Sequence, residues 1–521
     1  MNVYKGNIIT CNEKYEVFSY LVENNGLIEY IGNSLPQEYR SAPLIDLQDR
    51  ALIPTFSDNH THFVSYAVLS MALDIGNMES NAKIKELIKE KCSASKKMIF
   101  AFGANQTKVV ERAFLTKQDL DSVCPNNHAA LITSDGHGMI VNTKTLNALP
   151  EHIKSARGYN AETGIIINEA FYIAVSSLSK LLPKKDIIAC FGNAIDKMAQ
   201  KGIGHFVCCV GSTVPKDFDV NLFIWAAKGQ RSGIQMRIMY QTFDIKKIMK
   251  RRLPRLGGCF ETALDGSIAL RDAALKEPYC GTENCGILYH KEDELFEKVS
   301  SANKCGLQVQ MHAIGDAAFE QAARAIKYAL DAHPRKDHRH GIIHGSLPTT
   351  EGIKICKEYN IQILAQFAFL DLSGTNFEPM YAALGERVYQ AEPYRQLWDK
   401  GIVISAGSDA PVTEPDPIEW LNKACNNLNY KHRLTIQEAL RACTYNGYYA
   451  TFDEDKRGSL EKGKIADMLI LSRNPYAIDK AELSSIKVEK VILAGKEYIK
   501  PKGGIVSAIV KGLFTAKKDN Y

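Results

Sequence analysis

The sequence predicts an α/β protein built around a parallel sheet, and two observations point to it. The middle of the chain alternates short apolar strands with amphipathic helical segments, while both ends are rich in strands with tight-turn residues. Repeated βα units imply a parallel sheet, either doubly wound or closed into an eight-stranded barrel. Periodicity alone does not choose between these two.

Taken in order, NVYKGNIIT and YEVFSYLVE are followed by Asn25-Gly26, a strong hairpin signal, and then by LIEYIGN. The far end carries matching texture in ADMLILS (466–472) and VEKVILAGKEYI (488–499). Two β-rich ends around a different middle suggest one small sandwich made from both termini. In the middle, LQVQMHAIGD (307–316) alternates polarity. It leads into a helix with Phe319, Ala322, Ile326 and Leu330 at helical spacing, stopped by Pro334. GIIHGS (341–346), IQILAQFAF (361–369) and GIVISAGSDAPV (401–412) are further strands, and Thr435 with Glu438 forms a capping-box sequence opening EALRACTYNGYYATF. Residues about 70–185 fit the alternation less well and read as an insertion near the mouth of the larger domain.

Bulk properties narrow the function classes. The net charge of +5 over 521 residues gives no support for a nucleic-acid or membrane-surface partner. The 13 cysteines are scattered, odd in number and without a C-x-x-C pair, which favours reduced thiols and a cytoplasmic protein. The N-terminus lacks a signal-peptide pattern, and no run approaches the roughly 18 apolar residues of a membrane span. A doubly wound nucleotide-binding enzyme fails for want of a strand-linked G-x-G-x-x-G.

The strongest local signal is IPTFSDNHTHF (53–63), in which His60 and His62 are two apart and point to one side. Alone, such a pair is as readily two surface histidines in a polar loop. His312, His344 and Asp409 alter that reading, because each stands where an apolar strand gives way to a loop. Five His/Asp residues at four strand ends have the composition of a site for one or two divalent ions. The cluster DHRH (337–340) reads as solvated surface, and the adjacent Cys208 and Cys209 as buried thiols.

LIPTFSDNHTHF resembles the opening signature of the amidohydrolase superfamily, metal-dependent hydrolases on a distorted (β/α)8 TIM-type barrel with a small β-sandwich. SDGHGMIVNTKTLNAL, GIIINEA, ALDGSIALRDAALKEPY, MHAIGDAAFEQAARAI, IIHGSL, GSDAPV and GSLEKGKIADMLIL are similar to its N-substituted formamide deformylase branch. The likeness runs nearly the whole chain in order. It implies a sandwich from residues 1–55 with 456–505, a barrel over 56–455 carrying the insertion, and a C-terminal tail over 506–521.

Carried over by position, the resemblance makes His60 and His62, with Asp409, ligands of one ion, and His312 and His344 ligands of a second. Zinc is the expected metal. The bridging lysine of relatives falls four residues before Asp265, where this chain has Glu261. A carboxylate buried in that strand would cost several kcal/mol unless a cation met it; because it occupies the family position, the resemblance makes Glu261 the preferred bridge. Cys259 shares its strand face by alternation and competes for the role; a one-metal site with Glu261 as a mere hydrogen-bonding group stays open. His137 matches a position the family points toward substrate, and its bland reading is a loop-capping histidine. Gln366 is a second substrate-side position. Ile343 and Phe367 depart from the family pattern, which bears on substrate identity more than on metal binding.

The implied reaction is hydrolysis of an amide, N-substituted formamide or cyclic amide by metal-activated water, with Asp409 moving the proton. A mononuclear deaminase of a nucleobase-like ring is the main rival, and an inactive scaffold a weaker one. A small-molecule substrate is expected, with no nucleic acid or membrane partner, and a homo-oligomer is left open.

Overall fold

The computed structural model describes residues 1–521 except 95–96, 135, 137, 179–183, 212–216, 230–232, 370–376, 501–503 and 516–521. Eight strands pair in chain order: β1 (Phe56–Thr61), β2 (Ile203–Val210), β3 (Gln235–Tyr240), β4 (Arg255–Ala263), β5 (Gln308–Ala313), β6 (Gly341–His344), β7 (Gln362–Ala365) and β8 (Ile404–Ala406). Every pairing among them is parallel. A parallel bridge from Thr61 to Ala410 brings the end of β1 to the segment after β8. The sheet is therefore a nearly closed, distorted barrel, which settles the choice that periodicity left open.

Strands covered on both faces need apolar residues throughout, and β2 (IGHFVCCV) is buried at all eight positions. The helix Asp316–Ala332 between β5 and β6 buries Phe319, Ala322, Ile326 and Leu330, the stripe its spacing predicts. The Thr435 capping box is present, but the helix it opens ends at Cys443. Thr444 leaves helical geometry at φ −123°, ψ −98°, and a second helix runs Tyr445–Ala450. The Thr444 hydroxyl donates to Leu440 O, a local bond that competes with helix continuation.

Both termini meet in one seven-stranded sheet. Its order is Lys496–Glu497, Val488–Leu493, Met468–Leu471, Leu44–Pro54, Asn2–Ile9, Val17–Asn24, Leu27–Gly32. The hairpin at Asn25-Gly26 has φ +51° and +86°, as a two-residue turn of this kind requires. The sheet bends back until Leu27 bridges Ile465, enclosing Tyr4, Ile8, Leu21, Leu52, Met468 and Ile470.

A second compact unit comprises Phe63–Ala194 with Gly211–Asn221. It has its own five-stranded sheet, ordered Ile165–Ile167, Gly138–Val141, Ala129–Thr133, Ile99–Ala104, Leu73–Asp74. Ile88, Ala101, Leu120 and Leu131 form part of its core.

Within the C-terminal segment, Gly504–Phe514 is a helix. One expectation is corrected: the histidines of DHRH are not solvated, since His338 and His340 are buried. His340 Nδ1 accepts from Val309 N, and its Nε2 meets Asn303 Oδ1 at 3.0 Å, so these rings serve as fixed hydrogen-bonding wedges.

A buried polar network spans β1, β2, β3 and the segment after the last barrel helix. Arg237 Nε and Nη2 donate to Asp453 Oδ2 and Oδ1 at 2.7 and 2.6 Å. His205 Nδ1 meets Ser57 Oγ at 2.7 Å, and its Nε2 meets Thr451 Oγ1 at 3.1 Å. Burial depresses the His205 pKa from 6.5 to about 3. The unfolded chain binds this proton near pH 6.5 and the folded chain only near pH 3. Stability is therefore intact above pH 6.5 and falls with pH through that window, by about 2 kcal/mol between pH 6.5 and 5. His205→Gln is expected to remove that share of the acid sensitivity. Urea unfolding of both proteins at pH 7.5 and 5 measures it, and an unchanged pH slope in the variant would refute it.

Candidate metal centre

The side chains singled out at strand ends converge at the carboxyl end of the barrel. His60 Nε2 and Asp409 Oδ1 are 3.0 Å apart, and His62 Nε2 is 3.3 Å from the same oxygen. His312 Nδ1 is 3.0 Å from His344 Nε2 and 3.5 Å from Cys259 Sγ. His60, Cys259 and His344 each place a ligand atom within 4.8 Å of the other two, and so do His60, His62 and Asp409. Two nitrogens about 2.1 Å from one tetrahedral ion lie roughly 3.4 Å apart, so spacings of this size suit donors aimed at a common centre. His60 Nε2 and Asp409 Oδ1 lack hydrogen-bond alignment despite their proximity, which is the same signature.

Strand geometry explains which residues arrive. In the β4–β5 ladder Gly257 pairs with Gln310 and Gly258 with Met311, but the next pairing is Ala263 with His312. Cys259–Thr262 are extruded, and Phe260 takes φ +55°. Simple alternation would put Cys259 and Glu261 on one face; the bulge separates them. The Cys259 thiol enters the cluster. Glu261 is exposed, and its Oε2 accepts from Thr242 Oγ1 at 2.7 Å. The structure thus corrects the placement of Glu261: its carboxylate is not among the clustered donors, and Cys259 stands there instead.

The ladder also shows how His344 reaches the site. His312 pairs with Ile343, so in a regular strand His344 would face away. Its φ of +69° turns the side chain inward, and Asp409 likewise sits at φ +56°. Non-glycine residues in this region cost about 1–3 kcal/mol each and gather where function fixes them.

Neighbouring groups fix the candidate ligands. His312 Nε2 is 3.2 Å from Gly266 O and 3.4 Å from Asp265 Oδ1, which leaves Nδ1 for the centre. Asp265 is itself locked by Ile314 N, Gly315 N and Ala274 N at 2.8–3.0 Å. Cys209 Sγ lies 3.3 Å from His60 Nδ1, a role its apolar strand did not reveal. Asp58, two residues before His60, accepts from Ser408 N and Ser408 Oγ and ties β1 to the Asp409 loop. Burial raises its pKa to about 7, against the pull of Ser408. Burial also pushes the Cys259 thiol up, but the charges of His62 and His312 outweigh it and leave the pKa well below the usual value.

Two rings flank the cluster. Phe260 meets His62 edge-on at 6.3 Å between centroids, and Phe369 stacks on His344 at 5.1 Å. Gln366, just after β7, is 2% exposed, and neither its Oε1 nor its Nε2 has a partner among the described residues. A buried amide of that kind is a binding group in waiting, since leaving it unpaired costs about 1–3 kcal/mol. His137 lies outside the described residues.

Residues 44–499 match the model described as "Amidohydrolase family". The chain is 26% identical to amidohydrolase YtcJ of Bacillus subtilis (strain 168), over 94% of this chain and 98% of that one. It is 21% identical to N-substituted formamide deformylase of Arthrobacter pascens, over 95% and 97% of the two chains. Among solved structures, an uncharacterized metal-dependent hydrolase from Pyrococcus furiosus superposes with a TM-score of 0.74 at 24% identity, covering 91% of this chain and 99% of that one.

Proposed function

The chain belongs to the amidohydrolase family, and from that premise we propose that it hydrolyses a non-peptide carbon–nitrogen bond of a small molecule at a two-zinc centre. The observation that carries this reading is the convergence of His60, His62 and Asp409 beside His312, His344 and Cys259. Imidazole, carboxylate and thiolate donors suit zinc; His60, His62 and Asp409 would hold one ion, and His312, His344 and Cys259 a second. The bound ions would supply Lewis acidity and lower the pKa of water to about 7.

The chain's own residues do the rest. Asp409, buried beside His60 and His62, takes the proton of the attacking water and delivers it to the leaving nitrogen. Gln366 offers an amide to orient the substrate carbonyl. Phe260 and Phe369 keep bulk water from the reacting carbon and give an apolar wall for an N-substituent. An N-substituted formamide or a related amide fits such a wall, in keeping with the name of the Arthrobacter relative.

The test is zinc-loaded protein assayed against N-substituted formamides, simple and cyclic amides, and amino-substituted nucleobases, with zinc per chain measured in parallel. The expected result is amine and carboxylate release with two zinc ions per chain, both lost on chelation. Ammonia release from nucleobases by a one-zinc enzyme would replace this reading with a deaminase.

A further inference from the structure

The ladder from β5 to β8 fixes where Gln366 points. His312 pairs with Ile343, Ile343 with Leu364 and Leu364 with Ser405. Paired residues share a face of the sheet, so Leu364 faces the barrel interior with His312. The β7–β8 pairing runs unbroken to Ala365 with Ala406. Alternation then turns Gln366 inward, one layer above His312 toward the mouth. Phe367 agrees with that phase: its ring is buried against Tyr394, 4.8 Å between centroids, on the helix Tyr394–Asp399 that follows β7. Gln366 therefore stands between the ends of β6 and β8, the strands that deliver His344 and Asp409.

Both atoms of its amide, Oε1 and Nε2, are buried and unpaired among the described residues. The side chain thus presents a donor and an acceptor side by side, and burial makes each costly to leave unmet. The complement of such a carboxamide is a group with N–H and C=O on the same edge, which forms two parallel hydrogen bonds with it. Ring amides and primary amides carry that edge. An open-chain secondary amide in the trans form points its N–H and C=O in opposite directions and meets only one of the two atoms.

We infer that Gln366 selects substrates by a cis amide edge, with Nε2 donating to the carbonyl oxygen and Oε1 accepting from the N–H. The inference rests on the amide-hydrolase reading above and narrows it to ring amides and primary amides. The carbonyl oxygen keeps a second lone pair for the centre. Phe260 and Phe369, which flank the cluster, suit a substrate with an apolar ring beside that edge.

The test is ligand-observed NMR titration of the zinc-loaded protein with isoindolinone, N-methylisoindolinone, benzamide and N-benzylformamide. Isoindolinone or benzamide is expected to bind at least about tenfold more tightly than the N-methyl lactam and the formamide, and the tighter of the two tells ring amide from primary amide. Gln366→Met keeps the shape and removes both polar atoms. It is expected to erase that difference at unchanged zinc content, with a melting temperature no lower than wild type, because no internal hydrogen bond is lost. A structural glutamine would instead lower the melting temperature and leave the preference intact, which would overturn the inference. Equal binding of the N–H and N-methyl lactams by wild type, or no binding of either cis amide, would overturn it as well. Cleavage is followed separately and bears on the hydrolase reading: discrimination in binding with no amide cleaved would keep the role of Gln366 and count against that reading. Equal cleavage of N-benzylformamide and isoindolinone would do the reverse.

Discussion

Asp409→Asn is expected to lower turnover by about a thousandfold, within the 10²–10⁴ range of general acid–base catalysis, while leaving most of the metal bound. The substitution is well matched to the site. Asp409 is buried, and its amide donates to His60 O at 2.7 Å, a bond that the variant keeps. Asparagine also tolerates the φ of +56° found there, whereas alanine would add strain. Its carbonyl oxygen can still face His60 and His62, but it cannot take a proton. Activity and metal content should therefore separate, and steady-state kinetics with metal analysis on the same preparation reads both. Full turnover at unchanged metal content would remove the proton-transfer role. Loss of metal in step with activity would reduce Asp409 to a ligand.

The contrast between β4 and the other strands shows what the sequence could and could not convey. His60, His62, His312, His344 and Asp409 were legible because each ends an apolar run, and the barrel gathers strand ends by construction. Closure of the sheet was legible only through resemblance, since the βα alternation suits an open sheet equally well. Face assignment failed on β4 because period-two alternation presumes an unbroken ladder. The bulge at Cys259–Thr262 breaks it, and the signal for that bulge is Gly257-Gly258. Gly257 holds φ +141°, and a Cβ there would meet Gln310 O at 1.8 Å. Two glycines before a cysteine mark backbone brought close to its neighbour, which is what a side chain as short as cysteine needs to reach a centre. Cys209 and Phe369 were not legible, because their roles depend on neighbours from other strands. The histidines at 338 and 340 were misread because charge density was taken for exposure. Arg339 between them is held by Asp337 and Glu454, so that charge is spent inside the fold.

Cys259→Ala is expected to lower zinc from two ions per chain to one or none and to cut activity by at least about a hundredfold. Glu261→Gln should leave zinc content unchanged. Cys259 Sγ lies 3.5 Å from His312 Nδ1 and within 4.8 Å of donor atoms on His60 and His344, so it stands between the two halves of the cluster. Two zinc ions held by four neutral imidazoles and one carboxylate would leave excess positive charge in a buried site, and the Cys259 thiolate would offset part of it. Glu261 reaches no clustered donor; its carboxylate is bound to Thr242 at the exposed edge. Cobalt-substituted protein gives a second readout, because thiolate-to-cobalt charge transfer in the near ultraviolet should appear in wild type and Glu261→Gln and vanish in Cys259→Ala. Retention of two ions and of that band in Cys259→Ala, with loss of one ion in Glu261→Gln, would return the bridge to the carboxylate. It would also mean that Cys259–Thr262 rearranges when metal binds, since only a reversal of that bulge could carry Glu261 to the centre.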